Sequence, residues 1–208
     1  MNKPIIIIGN GGHASVLVEI LLVQQREIIG YTAPTKEKVF FDLPYLGTDD
    51  IIADNYNPDE VELVLGLGTV TTSIIRKSIF EDFNTKGFSF IGVIHPTAII
   101  SSSTQIGEGV QIMAGTILQT NVSIEDNTII NTGSIIDHDC HIGKHIHIAP
   151  GSTLSGGVQI GDSCHIGVGT SIIQSISIGN ETTIGAGSVV VKDIGGGKTA
   201  YGVPAKEV

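Results

Sequence analysis

Apolar residues change their rhythm once along this chain. Over the first ninety or so residues, short apolar runs alternate with stretches whose apolar residues recur at helical spacing. From Ile94 to Val190 the rule is different: an aliphatic residue stands at every sixth position, from Ile94, Ile100, Ile106, Ile112 and Leu118 through to Ile178, Ile184 and Val190, with no break and no insertion. Two positions ahead of each lies a small or β-branched residue such as Thr104, Val122, Ser134, Cys140 or Ser188, and glycine often follows. A period of six fits neither a helix nor a plain strand. It is the hexapeptide repeat of a parallel β-helix. Each hexad supplies one short strand and one turn, three hexads close a triangular coil, and residues eighteen apart stack. The aliphatic residue points inward, the small residue fits the corner beside it, and Gly and Asn give the turns their backbone freedom. A strand spacing of ~4.8 Å predicts a prism roughly 25 Å long over about five coils.

The front part reads as alternating strand and helix. Pro4–Ile8 is a β-branched run, followed by Gly9-Asn10-Gly11-Gly12-His13-Ala14 and then Val16, Leu17, Ile20 and Leu21 at helical spacing. A second strand is expected near Glu27–Thr32, and a loop over Leu43–Thr48 leading to Asp49 and Asp50, which suit a helix N-terminus. Val61–Leu65 reads as a buried strand ending in Gly66-Leu67-Gly68, Thr71–Phe83 as a helix with Ile74, Ile75, Ser78 and Ile79 on one face, and Phe88–Val93 as a last strand. This alternation predicts a small parallel α/β sheet of Rossmann-like type. His95-Pro96 marks the boundary, because the residue before proline resists helix. The expected division is 1–93 for the α/β domain, 94–190 for the β-helix and 191–208 for a C-terminal tail.

The turn after the first strand fits the G-x-G-x-x-A form of a dinucleotide fingerprint through Gly9, Gly11 and Ala14. Backbone N–H groups at such a helix start can approach phosphate. The second strand, however, ends in Tyr31, Thr32 and Ala33, with no acidic residue for a ribose hydroxyl. That disfavours NAD; a tight turn that holds no ligand is the alternative, and a bound nucleotide-sugar is the preferred reading.

A formal charge of −10 and a pI near 5.0 argue against nucleic acid or an anionic membrane surface as the main partner. No run approaches ~20 apolar residues, so no transmembrane helix is expected. Ile5–Ile8 is too short for a secretion signal, and the cytoplasm follows by default. Cys140 and Cys164 both occupy the small inward position, offset by one coil plus one face, so packing rather than a disulfide is expected.

Ionisable residues crowd one part of the repeat: Asn131, Asp137, His138, Asp139, Cys140, His141, His145 and His147. The composition invites a metal site, but the periodicity does not. His141 and His147 share a phase on successive faces and point about 120° apart, and His138 is in another phase, so no metal is expected. His147 and His165 differ by one full coil and should stack. His141 and His145 read as solvated. His138 is the sharp candidate, since it lies between two carboxylates in Asp137-His138-Asp139, and a neighbouring carboxylate orients an imidazole and raises its basicity.

The strand–Gly-Asn-Gly-Gly-His–helix start, the hexapeptide prism, the Asn131…Asp137-His138-Asp139-Cys140 segment and the closing Gly202-Val203-Pro204-Ala205-Lys206 together resemble the bacterial PglD/NeuD-type sugar O-/N-acetyltransferases, over nearly the whole chain. The resemblance implies a left-handed β-helix, a homotrimer with prisms side by side, and acetyl-CoA as co-substrate. It implies His138 as base, Asp139 as the residue raising its basicity, Asn131 at the acceptor site, and His147, Val168 and Ala186 on acetyl-CoA in the groove between prisms. Gly11, Gly12 and His13 would hold the nucleotide, with Gly68 nearby. The activity so implied is N-acetylation of a UDP-4-amino-sugar in bacterial glycan precursor synthesis. The alternatives are O-acetylation of sialic acid or a related sugar, or a non-catalytic sugar-binding solenoid. A backbone N–H or the His147 ring would stabilise the oxyanion or position the thioester.

Overall fold

The computed structural model describes residues 3–36, 41–70 and 74–208. Two compact units are present, Met1–Gly68 with Ile75–Val93, and Thr69–Ile74 with Ile94–Val208.

The first unit is built on β1 (Ile5–Ile8), whose four isoleucines are all buried. β1 pairs in parallel with β2 (Ile28–Thr32) on one side and with β4 (Glu62–Leu65) on the other. β3 (Tyr45–Gly47) continues the sheet beyond β2, giving the order β3-β2-β1-β4. A strand buried on both faces reads as a continuous apolar run, which is what the Ile5–Ile8 stretch provides. Helix α1 (Gly12–Val23) buries Ala14, Leu17, Val18, Ile20 and Leu21, and α2 (Asp50–Asn55) buries Ile52.

Three local expectations are corrected. The Leu43–Thr48 segment is not all loop: Tyr45–Gly47 forms β3 by pairing with Tyr31 and Thr32. Helix α3 is Ile74–Thr85, and the Thr71–Ser73 part of the expected helix lies outside the described residues. Its buried face is Arg76, Phe80 and Phe83, while Ile74 and Ile75 are exposed. The face turns because Arg76 points inward, donating from Nη1 to the carbonyls of Leu65 and Leu67 at 2.9 and 2.6 Å. Phe88–Val93 is not a full strand, since Phe90 makes a single bridge to Leu63 and only Val93–Ile94 is extended as a strand.

The second unit is the triangular coil. Its first wall stacks Ile99–Ile100, Ile117–Leu118, Ile135–Ile136, Thr153–Leu154, Ser171–Ile172 and Val189–Val190. The second stacks Gln105–Ile106, Ser123–Ile124, His141–Ile142, Gln159–Ile160 and Ser177–Ile178. The third holds Gln111–Ile112, Ile129–Ile130, His147–Ile148, His165–Ile166 and Thr183–Ile184. Within the repeat, from Ile99 to Val190, the paired strands are offset by eighteen residues, as in Ser123↔His141 and Ile135↔Thr153. Ile112, Ile130, Ile148, Ile166 and Ile184 form one buried column of a continuous core. Burying each such side chain gives ~1.5–3 kcal/mol before entropy is counted. The small inward residues need not be apolar because the ladder supplies acceptors: Thr128 donates to the Gly143 carbonyl at 2.8 Å and Ser152 to that of Gly167 at 3.0 Å.

Beyond Val190 the chain keeps contact with the coil. Ile194 bridges Ile178, Thr199–Tyr201 pairs in parallel with Thr183–Ile184, and Lys206–Glu207 returns antiparallel to it. The sixfold phase is lost there, yet Ala200 still fills the core.

Candidate active site

His138 lies in the turn that carries the chain from the first wall to the second, just after Ile135–Ile136. Its Nδ1 is 2.8 Å from Asp139 Oδ2. An ionised carboxylate only accepts, so Nδ1 carries the proton and Nε2 is left as the basic nitrogen. Asp139 is itself held, because Asn121 Nδ2 donates to its Oδ1 at 3.0 Å. Asp137 accepts from the His138 backbone N–H at 2.8 Å. The Asp139 hydrogen bond first, and then the charge of Asp137, hold the His138 pKa above its ordinary value. The Asn121 hydrogen bond, followed by that of His138, holds Asp139 below the usual carboxylate range. His138 and Asp139 side chains are 57% and 58% exposed, so the imidazole is presented at the surface of the coil rather than turned into its core.

Two partners of this group escape a local reading of the sequence. Asn121 stands one coil before Asp139, and Gly156 one coil after His138. A Cβ on Gly156 would fall 2.6 Å from His138 Cε1 and Nε2, so glycine is what leaves room for the ring. The eighteen-residue stacking rule applied to His138 and Asp139 finds both.

Asn131, His147, Val168 and Ala186 gather at another edge, where the chain passes from the third wall to the first. A cleft of ≈ 410 Å³ is lined there by His147, His165, Val168, Ala186, Ala149 and Pro150, with Thr69 and Val70 over one side. His147 and His165 stack as expected, with ring centroids 5.2 Å apart at 87°. His147 Nδ1 is 2.9 Å from the Thr69 carbonyl, and Nε2 is 3.0 Å from Asn131 Nδ2. The amide must donate to Nε2, so the proton is on Nδ1 and Nε2 has none to offer an oxyanion. Asn131 is set against His147, not against His138 of the same chain, and its Oδ1 accepts from the Thr132 backbone at 2.7 Å. Burial lowers the His165 pKa and keeps that ring neutral.

The remaining candidates are not part of either group. His141 pairs with Ser123 and Glu125, and His145 with Asn127. Burial pushes the Cys140 and Cys164 thiols up to about 11, and Cys140 donates to the Ser155 carbonyl, so neither is a nucleophile at neutral pH. Among the described residues no three His, Cys, Asp or Glu side chains are arranged to hold a metal ion.

Gly11, Gly12, His13 and Gly68 come together in the first unit. They line a cleft of ≈ 530 Å³ at the carboxyl ends of the strands, with Ala33, Pro34 and Asp49. Gly9 turns the chain out of β1 at φ +103°, and Gly11 is the N-cap of α1 with no side-chain capping bond. A Cβ on Gly11 or Gly12 would meet nothing within 4 Å, whereas one on Gly66 would lie 2.6 Å from Ala14 Cβ. The first two glycines therefore keep a cleft open, and the third lets strand end and helix approach. The place is where ligands bind in open α/β sheets, beside the point at which strand order reverses.

Comparison with known proteins agrees with this architecture. Residues 4–83 match the PglD N-terminal domain, and residues 98–137 and 121–156 match the bacterial transferase hexapeptide (six repeats). A point mutant of perosamine N-acetyltransferase from Caulobacter crescentus, solved with CoA and GDP-perosamine, is 34% identical over 99% of this chain and 97% of that one, with a TM-score of 0.91. The chain belongs to the PglD/NeuD-type hexapeptide-repeat sugar acetyltransferases. The acetyltransferase domain of PglB from Neisseria gonorrhoeae, solved with acetyl coenzyme A, is 32% identical with all of both chains covered and a TM-score of 0.92. UDP-N-acetylbacillosamine N-acetyltransferase of Bacillus subtilis (strain 168) is 36% identical over 116 residues, which span 54% of this chain and 52% of that protein. The fold is accordingly an α/β domain followed by a left-handed parallel β-helix.

Proposed function

We propose that the protein transfers an acetyl group from acetyl-CoA to the amino group of a nucleotide-linked sugar, a UDP-4-amino-sugar in the first instance, with His138 as general base. The observation that carries this is the Asn121–Asp139–His138 chain of hydrogen bonds, which fixes one imidazole tautomer and leaves Nε2 as its basic nitrogen. The family supports the same activity: the Caulobacter relative was solved with GDP-perosamine and CoA, and the Neisseria one with acetyl coenzyme A.

The chemistry follows from these groups. The neutral amine attacks the thioester carbonyl carbon. His138 Nε2 takes the proton the nitrogen must lose as the C–N bond forms. The C–S bond then breaks, and the imidazolium returns that proton to the departing CoA thiolate. General-base action of this kind is worth ~10²–10⁴ in rate, and holding both substrates supplies much of the rest. The cleft beside His147 suits the amphipathic pantetheine arm of acetyl-CoA, with apolar walls at Ala149, Pro150 and Val168 and backbone groups at Val168 and Ala186. The cleft around Gly11, Gly12, His13 and Gly68 suits the nucleotide end of the sugar substrate, with phosphate near the start of α1.

His138 and the His147 cleft lie on two different edges of one coil, so a single chain does not bring base and thioester together. A homotrimer does. The outward face of the first wall carries Ile99, Ile117 and Ile135 over its first three coils, with Ile99 65% exposed, and Thr153, Ser171 and Val189 beyond them, whereas the second wall presents Gln105, Ser123, His141, Gln159 and Ser177. Packing three copies with first walls toward the axis covers the apolar stripe. It also sets the His138 edge of one copy beside the Asn131–His147 edge of the next. The cytoplasm is the proposed location, and no described helix is long and apolar enough to cross a membrane.

Thiol release from acetyl-CoA, followed over UDP- and GDP-amino-sugars and sialic acids, tests this function. Release with an amino-sugar nucleotide is expected. Release with sialic acid alone would establish O-acetylation instead, and no release with any acceptor would leave a binding solenoid.

A further inference from the structure

The front cleft contains a carboxylate with one oxygen that no donor among the described residues satisfies. Asp49 lines it, and Asp49 Oδ1 is shielded from solvent with no hydrogen-bond donor among the described residues. Its place ahead of α2 suggests a capping role, but its side chain makes no capping bond. A shielded polar atom is expensive to leave unpaired, and a ligand donor would remove that cost.

The sheet order says which part of a ligand lies there. The glycine turn that would receive phosphate follows β1, and the order outward from it is β1, β2, β3. In dinucleotide-binding sheets the ribose carboxylate ends the strand next to that turn. Here β2 ends in Tyr31 and Thr32, followed by Ala33 and Pro34, with no acid. Asp49 follows β3, one strand further out, at ~10 Å from the phosphate turn by strand spacing. That is the span from a nucleotide's phosphate to the outer edge of its nucleoside. An ionised carboxylate accepts only, so its counterpart must be an N–H or O–H group.

We propose that Asp49 recognises the nucleoside of the sugar nucleotide, accepting a hydrogen bond from the N–H edge of the base or from a ribose hydroxyl. This rests on the nucleotide-sugar assignment of the front cleft. It goes beyond it by naming a specificity-determining residue on a strand that a fingerprint search does not inspect.

Calorimetric titration of the full chain with UDP, GDP and their 2′-deoxy forms tests it in wild type, Asp49→Ala and Asp49→Asn. Asp49→Ala should weaken nucleoside diphosphate binding by roughly 10- to 100-fold, as for loss of a charged hydrogen bond. Asp49→Asn should weaken it less, because the amide keeps one acceptor and the shape. In turnover the loss should fall on KM, with kcat near wild type. If the ribose is the donor, the 2′-deoxy ligands lose affinity for wild type and lose nothing further on Asp49→Ala. If the base is the donor, GDP, with adjacent N1–H and N2–H groups, loses more than UDP on Asp49→Ala. Either pattern supports the proposal. Equal affinity of wild type and both variants for a nucleoside diphosphate that wild type binds would overturn it and leave the nucleotide assignment intact. Failure of wild type to bind any of them would overturn both.

Discussion

In the coil, Asn121, Asp139, His138 and Gly156 meet because they are adjacent or one full coil apart; in the front unit, Gly12, Ala33, Asp49 and Gly66 meet because four different strands end at one edge. The first kind of site is set by a local repeat, and a residue's neighbours can be counted off along the chain. The second depends on strand order, which no local pattern states. A change in the coil should therefore act through its stacked partners, and a change in the front unit through the packing of a whole strand end.

The largest expected effect on stability is a coil core deletion. Ile148 is fully buried in the third-wall column, and Ile148→Ala should cost ~2–5 kcal/mol in denaturant unfolding. Nucleotide affinity of the folded fraction should not change, since the front cleft draws no residue from that column. Gly156→Ala comes next and separates rate from stability. Its Cβ must displace the His138 ring, so turnover should fall roughly 10²-fold, as for ~1 Å of misplacement, with little change in melting temperature. The front glycines should divide in the opposite way. Gly66→Ala pushes a Cβ against Ala14 and Ile8 and should cost ~1–3 kcal/mol, whereas Gly12→Ala should leave stability within ~0.5 kcal/mol and weaken nucleotide binding.

The smallest effect is a displacement of the pH profile. His138 acts as a base only when neutral, so kcat/KM rises as pH passes upward through its pKa. That pKa lies above the ordinary value chiefly through Asp139. Asp139→Asn removes the main cause, so the acidic limb should move to lower pH while the plateau falls, because a weaker base accepts the proton less readily. Asn121→Ala should lower the plateau as well, by freeing Asp139 from its second hydrogen bond.

Much of the coil was legible in the sequence. The sixfold rule gives its walls, its inward residues and the His147–His165 stack, because each hexad repeats the same solution to the same packing problem. Asn121 and Gly156 lay within reach of that rule and are visible only when it is applied to His138 and Asp139 themselves. The front unit was legible as strands and helices but less so as faces. The Ile74, Ile75, Ser78, Ile79 stripe shares one face of α3 but the helix buries another, because Arg76 turns inward to satisfy two strand-end carbonyls, and Ile75 and Ile79 line the cleft. β3 was hidden because its Tyr45–Gly47 segment is short and glycine-ended, and it becomes a strand only by pairing with β2.

Subunit complementation tests the seam site most directly. His138→Asn removes the base, and Ala186→Trp fills the cleft beside His147; each homogeneous protein should release almost no thiol from acetyl-CoA with an amino-sugar nucleotide. Co-expressed, the two should form mixed trimers in which some seams pair an intact His138 with an intact cleft, and thiol release should return. Mixed trimers that stay as inactive as their parents would place base and cleft of one seam on the same chain, and the proposed site would fail.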